Sequence, residues 1–364
     1  MSLRILAIEP YYGGSHRAFL DGLVQRSRHA WSLLTMPPRK WKWRMRGAAL
    51  SMARQLDEPF DLLFVTDFLD LAALVGLRPD RLASVPKVAY FHENQLTYPV
   101  PHEDDRDYQY GFTNITTCLA ADRVFFNSEF HRATFLDAVH ALLRRMPDHV
   151  PEGVRDVIAA RSAVLPLGCD LASLDVEAPP RGGPALIVWN HRWEYDKNPE
   201  EFFSVIFELA DAEVPFRLAV AGESFRDEPL IFDVARRRLA DRIEHFGFAA
   251  DRADYARLLR RSDIAVSTAR HEFFGVAAVE AVYCGCFPLF PNRLTYPEVI
   301  PPEAHARHLY ADADDLAVRL RQAIAGIDET RRVNLGKAAA RYDWSVLIRQ
   351  YDDALEAAAG AVRR

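Results

Sequence analysis

Two glutamates, Glu272 and Glu280, stand eight positions apart, and Phe274-Gly275-Val276 lies between them. The apolar run 263–268 before them reads as a buried strand, and the run 276–284 as a helix. This spacing puts Glu272 on the loop at the strand's carboxyl end. It puts Glu280 one turn inside the helix, on the face that the junction shares. One carboxylate could accept hydrogen bonds from the hydroxyls of a sugar, the other from a ribose diol. The backbone amides that open the helix, at Phe274, Gly275 and Val276, suit a phosphate or a sugar hydroxyl. Without a ligand, the same residues read as an ordinary helix glutamate and an acidic charge favoured at a helix N-terminus.

Further upstream, the apolar strand 185–190 runs into His191-Arg192-Trp193-Glu194-Tyr195-Asp196-Lys197-Asn198-Pro199. Arg192 and Lys197 thus leave the carboxyl end of a strand together, where open α/β sheets bind ligands. A guanidinium fork and an ammonium point charge suit a diphosphate. Together with the two glutamates, this pair resembles the donor site of the retaining GT-B glycosyltransferases of the family-four group. The resemblance implies that Arg192 and Lys197 clamp the nucleotide diphosphate, Glu272 touches the donor sugar and Glu280 holds the ribose. It extends the expected donor contacts to Asn190, Gly222, Glu223, His271, Phe274, Gly275 and Val276.

The elements needed to position these residues are legible along the chain. Expected strands cover 4–9, 61–66, 87–91, 123–127 and 163–166, then 185–190, 217–222, 243–248, 264–268 and 287–291. Helical patterns lie between them, as at 107–121, 128–143, 200–211 and 227–240. Such alternation predicts an α/β protein with parallel sheets covered on both faces. The Pro- and Gly-rich stretch 178–184 reads as a linker. The expected organisation is an N-terminal Rossmann-like acceptor domain at 1–177 and a donor domain at 185–343. A last helix, 344–364, crosses back to the first domain. In the GT-B architecture the two sheets face one another across a cleft. With 364 residues, the chain is long enough for two sizeable cores. Its net charge of −6 excludes a globally basic nucleic-acid binder but leaves room for a local basic patch. No apolar run is long enough to span a bilayer, the first strand starts near the N-terminus without a signal-peptide pattern, and the four cysteines show no paired spacing. A cytoplasmic protein without a membrane partner is expected.

The first loop, Tyr11-Tyr12-Gly13-Gly14-Ser15-His16, lacks the Gly-x-Gly-x-x-Gly fingerprint, which disfavours a nicotinamide enzyme. Its glycines permit close backbone approach, and the GT-B resemblance implies that this loop meets the donor phosphate or the acceptor, with Gly14 and Ser15 as donor candidates and His16 as an acceptor candidate. The run His92-Glu93-Asn94-Gln95 follows a hydrophobic strand. Four successive polar side chains at such a place favour a site over a core. Glu93, Asn94, Gln95 and Tyr98 suit a polyhydroxylated acceptor, as does Asp67 at the end of the second expected strand. His92 matches the position of a histidine that contacts the donor sugar in retaining GT-B enzymes.

From Arg39 to Arg54 there are six basic residues and no acidic one. Arg39, Lys40, Lys42, Arg44 and Arg46 could neutralise phosphates, while Trp41 and Trp43 could stack on bases. The competing reading is an amphipathic helix whose tryptophans enter the core.

Gly13-Gly14-Ser15-His16, Lys40-Trp41-Lys42-Trp43-Arg44, Phe91-His92-Glu93-Asn94-Gln95-Leu96 with Tyr98-Pro99, Asp107-Tyr108-Gln109-Tyr110-Gly111 and Phe126-Asn127-Ser128 together resemble the tRNA-queuosine mannosyltransferases. That resemblance implies transfer of mannose from GDP-mannose to the cyclopentene diol of queuosine in a tRNA anticodon. His92, Glu272, Arg192 and Lys197 would form the catalytic set. No Asp-x-Asp metal motif stands at the end of an expected strand, so no metal is expected. A lipid or polysaccharide acceptor, or a non-catalytic module binding RNA or a nucleotide sugar, remains as an alternative.

Overall fold

A computed structural model describes residues 2–100, 106–223 and 229–362. The chain forms two compact units. The first runs to Cys169 and takes up the chain again at Trp344. The second is Asp170–Asp343.

In the first unit, strands β1 (Arg4–Glu9), β2 (Ala30–Thr35), β3 (Leu62–Thr66), β4 (Lys87–Phe91), β5 (Arg123–Phe126) and β6 (Ser162–Val164) form a parallel sheet in the order β2-β1-β3-β4-β5-β6. Every residue of β3 and β4 is buried, as expected of strands covered on both faces. The strand order reverses between β1 and β3, so the loops after these strands diverge and leave room for a ligand. The helix Trp344–Val362 completes this unit. A Cβ at Gly22 or Gly168 would lie 2.3–2.4 Å from the Trp344 ring, so both positions need glycine. Tyr351 Oη donates to Pro166 O at 2.8 Å, and Ser27 Oγ donates to Asp352 at 2.6 Å.

The second unit repeats the scheme with β7 (Ala185–Trp189), β8 (Phe216–Ala221), β9 (Ile243–Gly247), β10 (Ile264–Val266), β11 (Phe287–Pro291) and β12 (Leu309–Tyr310). The order is β12-β11-β10-β7-β8-β9, again parallel, with its reversal between β7 and β10. Its core is aromatic: Trp193 stacks on Phe232 at 4.3 Å, and Trp189 on Phe202 at 5.7 Å.

Three expectations need correction. The division falls at Cys169/Asp170, so the stretch 178–184 lies inside the second unit. Arg181 fastens that stretch by donating to the carbonyls of Arg260, Cys284 and Gly285. Two edge strands, β2 and β12, were not expected: β2 has no clean apolar alternation and β12 is two residues long. The helix expected at 227–240 is Ile231–Arg238, and residues 227 and 228 lie outside the described residues.

Candidate functional site

The second unit gathers its chemistry at the reversal point, where the loops after β7 and β10 adjoin. Lys197 is only 6% exposed. Its Nζ donates to His271 O at 3.0 Å, and lies 3.3 Å from Glu272 Oε2 and 3.1 Å from Asp196 Oδ2. Burial works against the lysine charge, but Glu272 and Asp196 outweigh it and hold the pKa above the ordinary value. Burial likewise acts to raise the Glu272 pKa, yet Lys197 pulls it below the usual carboxylate range. His191 and His271 border this ion pair. Burial first, then Lys197, pushes each to about 4, so both are neutral imidazoles near pH 7. Arg192 differs: its side chain is half exposed and meets Glu194 Oε2 at 3.1 Å. Lys197 is therefore a buried counter-ion, whereas Arg192 reaches solvent.

Glu280 points into a second network. Its Oε2 accepts from Tyr255 Oη at 2.9 Å and its Oε1 pairs with Arg252 at 2.7 Å. Asn190 Nδ2 donates to Tyr255 Oη at 2.9 Å and to Ala277 O at 2.8 Å. A cavity of about 390 Å³ opens beside this network, with Asn190, Arg192, Glu223, Phe248 and Arg252 in its walls. Gly222 also lines it, and a Cβ there would lie 1.9 Å from His191 O. The helix Val276–Tyr283 starts after Gly275, which sits at φ 85°, with no side-chain cap and no acidic residue in its first turn. Its opening amides and positive dipole end suit an anion.

The first unit builds a different cluster at its own reversal point. Glu9, fully buried at the end of β1, accepts from Tyr11 N at 2.7 Å and pairs with His16 Nδ1 at 3.0 Å. Burial opposes a charged His16, but Glu9, then Asp67 and Glu93, raise it to about 9. Asp67 is pushed up above all by burial, and its Oδ1 accepts from His92 N at 2.9 Å. The His92 ring lies 4.1 Å from that of His16 and 4.7 Å from Phe19, with both ring nitrogens buried and without a hydrogen-bond partner among the described residues. Burial, and then the charge on His16, push its pKa well below the ordinary value. Asn127 Nδ2 donates to His92 O and fixes this turn. Glu9, His16 and His92 present ligand atoms within 4.8 Å of one another, a group that could hold a metal ion. The helix Gly14–Arg26 opens with Gly14 and Ser15, both exposed, and has no side-chain cap.

These two clusters belong to a chain whose relatives can be stated. Residues 4–169 match the family described as tRNA-queuosine alpha-mannosyltransferase N-terminal, and residues 174–342 match glycosyl transferases group 1. The tRNA-queuosine alpha-mannosyltransferase of Drosophila melanogaster is 40% identical over 328 residues, which is 87% of this chain and 85% of the fly protein. The chain belongs to the tRNA-queuosine alpha-mannosyltransferase family. It is a glycosyltransferase. A GDP-mannose:cellobiosyl-diphosphopolyprenol alpha-mannosyltransferase of Xanthomonas campestris is 25% identical over 57% of this chain and 56% of its own length. Among solved structures, sucrose-phosphate synthase from Thermosynechococcus elongatus superposes with a TM-score of 0.72 at 16% identity, over 98% of this chain and 99% of that one. The Anabaena protein HepE in complex with UDP gives 0.68 at 15% identity, over 97% and 100%. These likenesses identify the GT-B fold.

Within this family frame, Asn190, Arg192, Gly222 and Glu223 line the cavity, and Glu280 adjoins it through Tyr255 and Arg252. Lys197, His271 and Glu272 form the adjoining ion-pair cluster. His16, Asp67, His92 and Glu93 converge in the first unit. Gln95 Nε2 donates to Glu93 Oε1 at 3.0 Å, which places it beside them. Asn94 lies differently from its neighbours. It is fully buried, its Oδ1 accepts from Leu96 N and Thr97 N, and its Nδ2 donates to Thr97 Oγ1. These bonds shape the loop. The basic segment is the helix Trp41–Met52, with Lys40 as its N-cap at φ 56°. Trp41 packs half-buried on Tyr110 at 5.1 Å, whereas Trp43 is 62% exposed. Arg39, Lys42 and Arg46 are exposed, and Arg44 donates to Pro37 O.

Glu9, Arg252 and Tyr255 were missed. Glu9 is the last residue of a strand, where a carboxylate looks like an ordinary strand end. Arg252 and Tyr255 sit three apart on a helix capped by Asp251, and only the fold brings them to Glu280. Among the described residues, no helix is long and apolar enough to cross a membrane.

Proposed function

We propose that this chain transfers mannose from GDP-mannose to the cyclopentene diol of queuosine in a tRNA anticodon, with retention of configuration. The observation that carries this reading is the match of residues 4–169 to the queuosine-specific N-terminal family. The lipid-linked relative, by contrast, aligns with little more than half of the chain. The second unit takes the donor. Glu280, held by Tyr255 and Arg252, accepts from the ribose. Arg192 and the amides of Gly275 and Val276 meet the diphosphate. Lys197 holds Glu272 in place for the sugar and adds positive charge beside the leaving group. Gly14 and Ser15 supply further amides to phosphate.

The bond between the mannose anomeric carbon and the diphosphate oxygen breaks as the acceptor hydroxyl attacks on the same face. The hydroxyl proton passes to the departing diphosphate, which leaves as GDP. Fixed positive charge lowers the barrier as negative charge grows on the leaving oxygen. His92, neutral at physiological pH, positions the reacting sugar by hydrogen bonding. Asp67, Glu93, Gln95 and Tyr98 orient the diol, and the cations at 39–46 bind tRNA phosphates. No divalent ion enters this scheme, and a tRNA substrate implies a cytoplasmic setting.

The test is transfer from labelled GDP-mannose to tRNA with and without queuosine. Label on the queuosine-containing tRNA alone is expected. Label on neither, with GDP-mannose still bound, would overturn the acceptor and favour a lipid or glycan.

A further inference from the structure

We propose that a cavity of about 210 Å³ in the first unit binds one unstacked nucleobase adjacent to queuosine in the anticodon loop. This rests on tRNA being the acceptor. The cavity lining includes Trp41, Lys42, Gln95, Tyr98, Arg106 and Tyr110, with Asp107 as the acidic residue among them. These residues come from three separate stretches of sequence: the basic helix, the loop after β4 and the start of the helix Tyr108–Ala120. The fold brings the tryptophan of one stretch to the tyrosine of another, with Trp41 and Tyr110 ring centroids 5.1 Å apart and inclined by 57°.

Three features fit a base better than a sugar. The walls are aromatic, and a nucleobase gains by stacking on them. Cations lie over these rings, Lys42 at 5.7 Å from Trp41 and Arg46 at 5.1 Å from Tyr110. They can pair with the phosphates on either side of an inserted base. The charge is also local: the chain carries −6 overall, yet the segment 39–54 holds six basic residues and no acidic one. The pocket floor is fixed. Arg106 donates to the carbonyls of Leu96 and Tyr98 at 3.0 and 2.9 Å, which braces the loop carrying Gln95. That loop also carries Glu93, whose carboxylate accepts from Gln95 Nε2, so the base pocket and the proposed diol-binding residues share one support. A base seated here would hold the neighbouring queuosine in register for reaction.

The experiment uses the full chain and a queuosine-containing anticodon stem-loop in which 2-aminopurine replaces each neighbour of queuosine in turn. Binding should quench the 2-aminopurine at one neighbouring position. Trp41→Ala should abolish that quench and weaken binding roughly tenfold, as expected for one lost base stack. Trp41→Phe, which keeps an aromatic ring, should restore most of it and guards against a folding defect. An abasic nucleotide at the same position should weaken wild-type binding by a similar factor and Trp41→Ala binding by no more than twofold. Quenching at neither position, or independent losses from the abasic site and Trp41→Ala, would overturn the proposal. Quenching without mannose transfer would instead sink the catalytic reading and leave the pocket standing.

Discussion

Arg192 and Lys197 both bring positive charge to the proposed donor site, but their environments differ enough to be separated by experiment. Lys197 is the sole cation within 4 Å of Asp196 or Glu272 among the described residues, and both carboxylates are largely buried. Lys197→Met therefore strands two acids. Removing one partner of a buried pair costs about 3–5 kcal/mol. For a unit of this size, that lowers its Tm by roughly 6–20 °C. Arg192→Met removes a half-exposed group paired with Glu194, and should change stability by less than about 1 kcal/mol. If each cation stabilises the leaving diphosphate, each variant should also lose about 2–4 kcal/mol of transition-state stabilisation. That corresponds to roughly 30- to 1,000-fold in kcat/KM.

The assay pairs thermal unfolding with mannose transfer to queuosine-containing tRNA. Lys197→Met should fail in both, and Arg192→Met in turnover alone. Adding Glu272→Gln to Lys197→Met removes one stranded charge. The double variant should recover part of the lost Tm and none of the turnover. Unchanged stability in Lys197→Met would refute the counter-ion argument, and unchanged turnover in Arg192→Met would refute the diphosphate clamp.

Three other perturbations probe the remaining parts. Glu280→Gln breaks the charged contact with Arg252 and should raise the GDP dissociation constant about 10- to 100-fold by calorimetry, as for a lost charge-assisted hydrogen bond. Gly222→Ala places a methyl group 1.9 Å from a carbonyl oxygen and should reduce the Tm of the second unit and its GDP binding together. Chelation with EDTA should leave turnover unchanged; a loss restored by added metal would direct attention to Glu9, His16 and His92.

The layout around the proposed donor site was legible because its residues follow buried strands directly. β7 is apolar along its whole length, so Arg192 and Lys197 announce themselves as charges at a strand's carboxyl end. Glu272 and Glu280 bracket a glycine at positive φ, and only a strand-to-helix junction makes sense of that spacing. What the sequence hid was pairing across the fold. Asp196 sits beside Lys197 in the chain like any loop acid, yet in the structure it shares that lysine with Glu272. Asn94 stands among polar neighbours in sequence, but its amide completes its own turn, a competition between backbone and ligand that residue type does not reveal. The domain boundary was misplaced for a related reason: a Pro- and Gly-rich stretch resembles a linker until Arg181 is seen fastened to three carbonyls.

The first-unit cluster supports one more prediction, which separates the proposed positioning role of His92 from proton donation. Its pKa lies well below the ordinary histidine value, through burial and then the neighbouring charge on His16. His16 carries that charge because Glu9, chiefly, lifts its pKa to about 9. The raised value also sets a stability term. His16 binds its proton more tightly folded than unfolded, so the contribution is complete below pH 6.5 and lost as pH rises through about 9. Glu9→Gln removes the partner. In that variant the fall in Tm between pH 6.5 and 9 should shrink, and the His92 titration followed by NMR should move up, toward its unperturbed value, as the charge beside it disappears. If His92 were a general acid, this rise would increase turnover near neutral pH by enlarging its protonated fraction. With the departing diphosphate as proton acceptor, turnover should gain nothing. A faster Glu9→Gln enzyme at pH 7 would refute the positioning role and make His92 the acid.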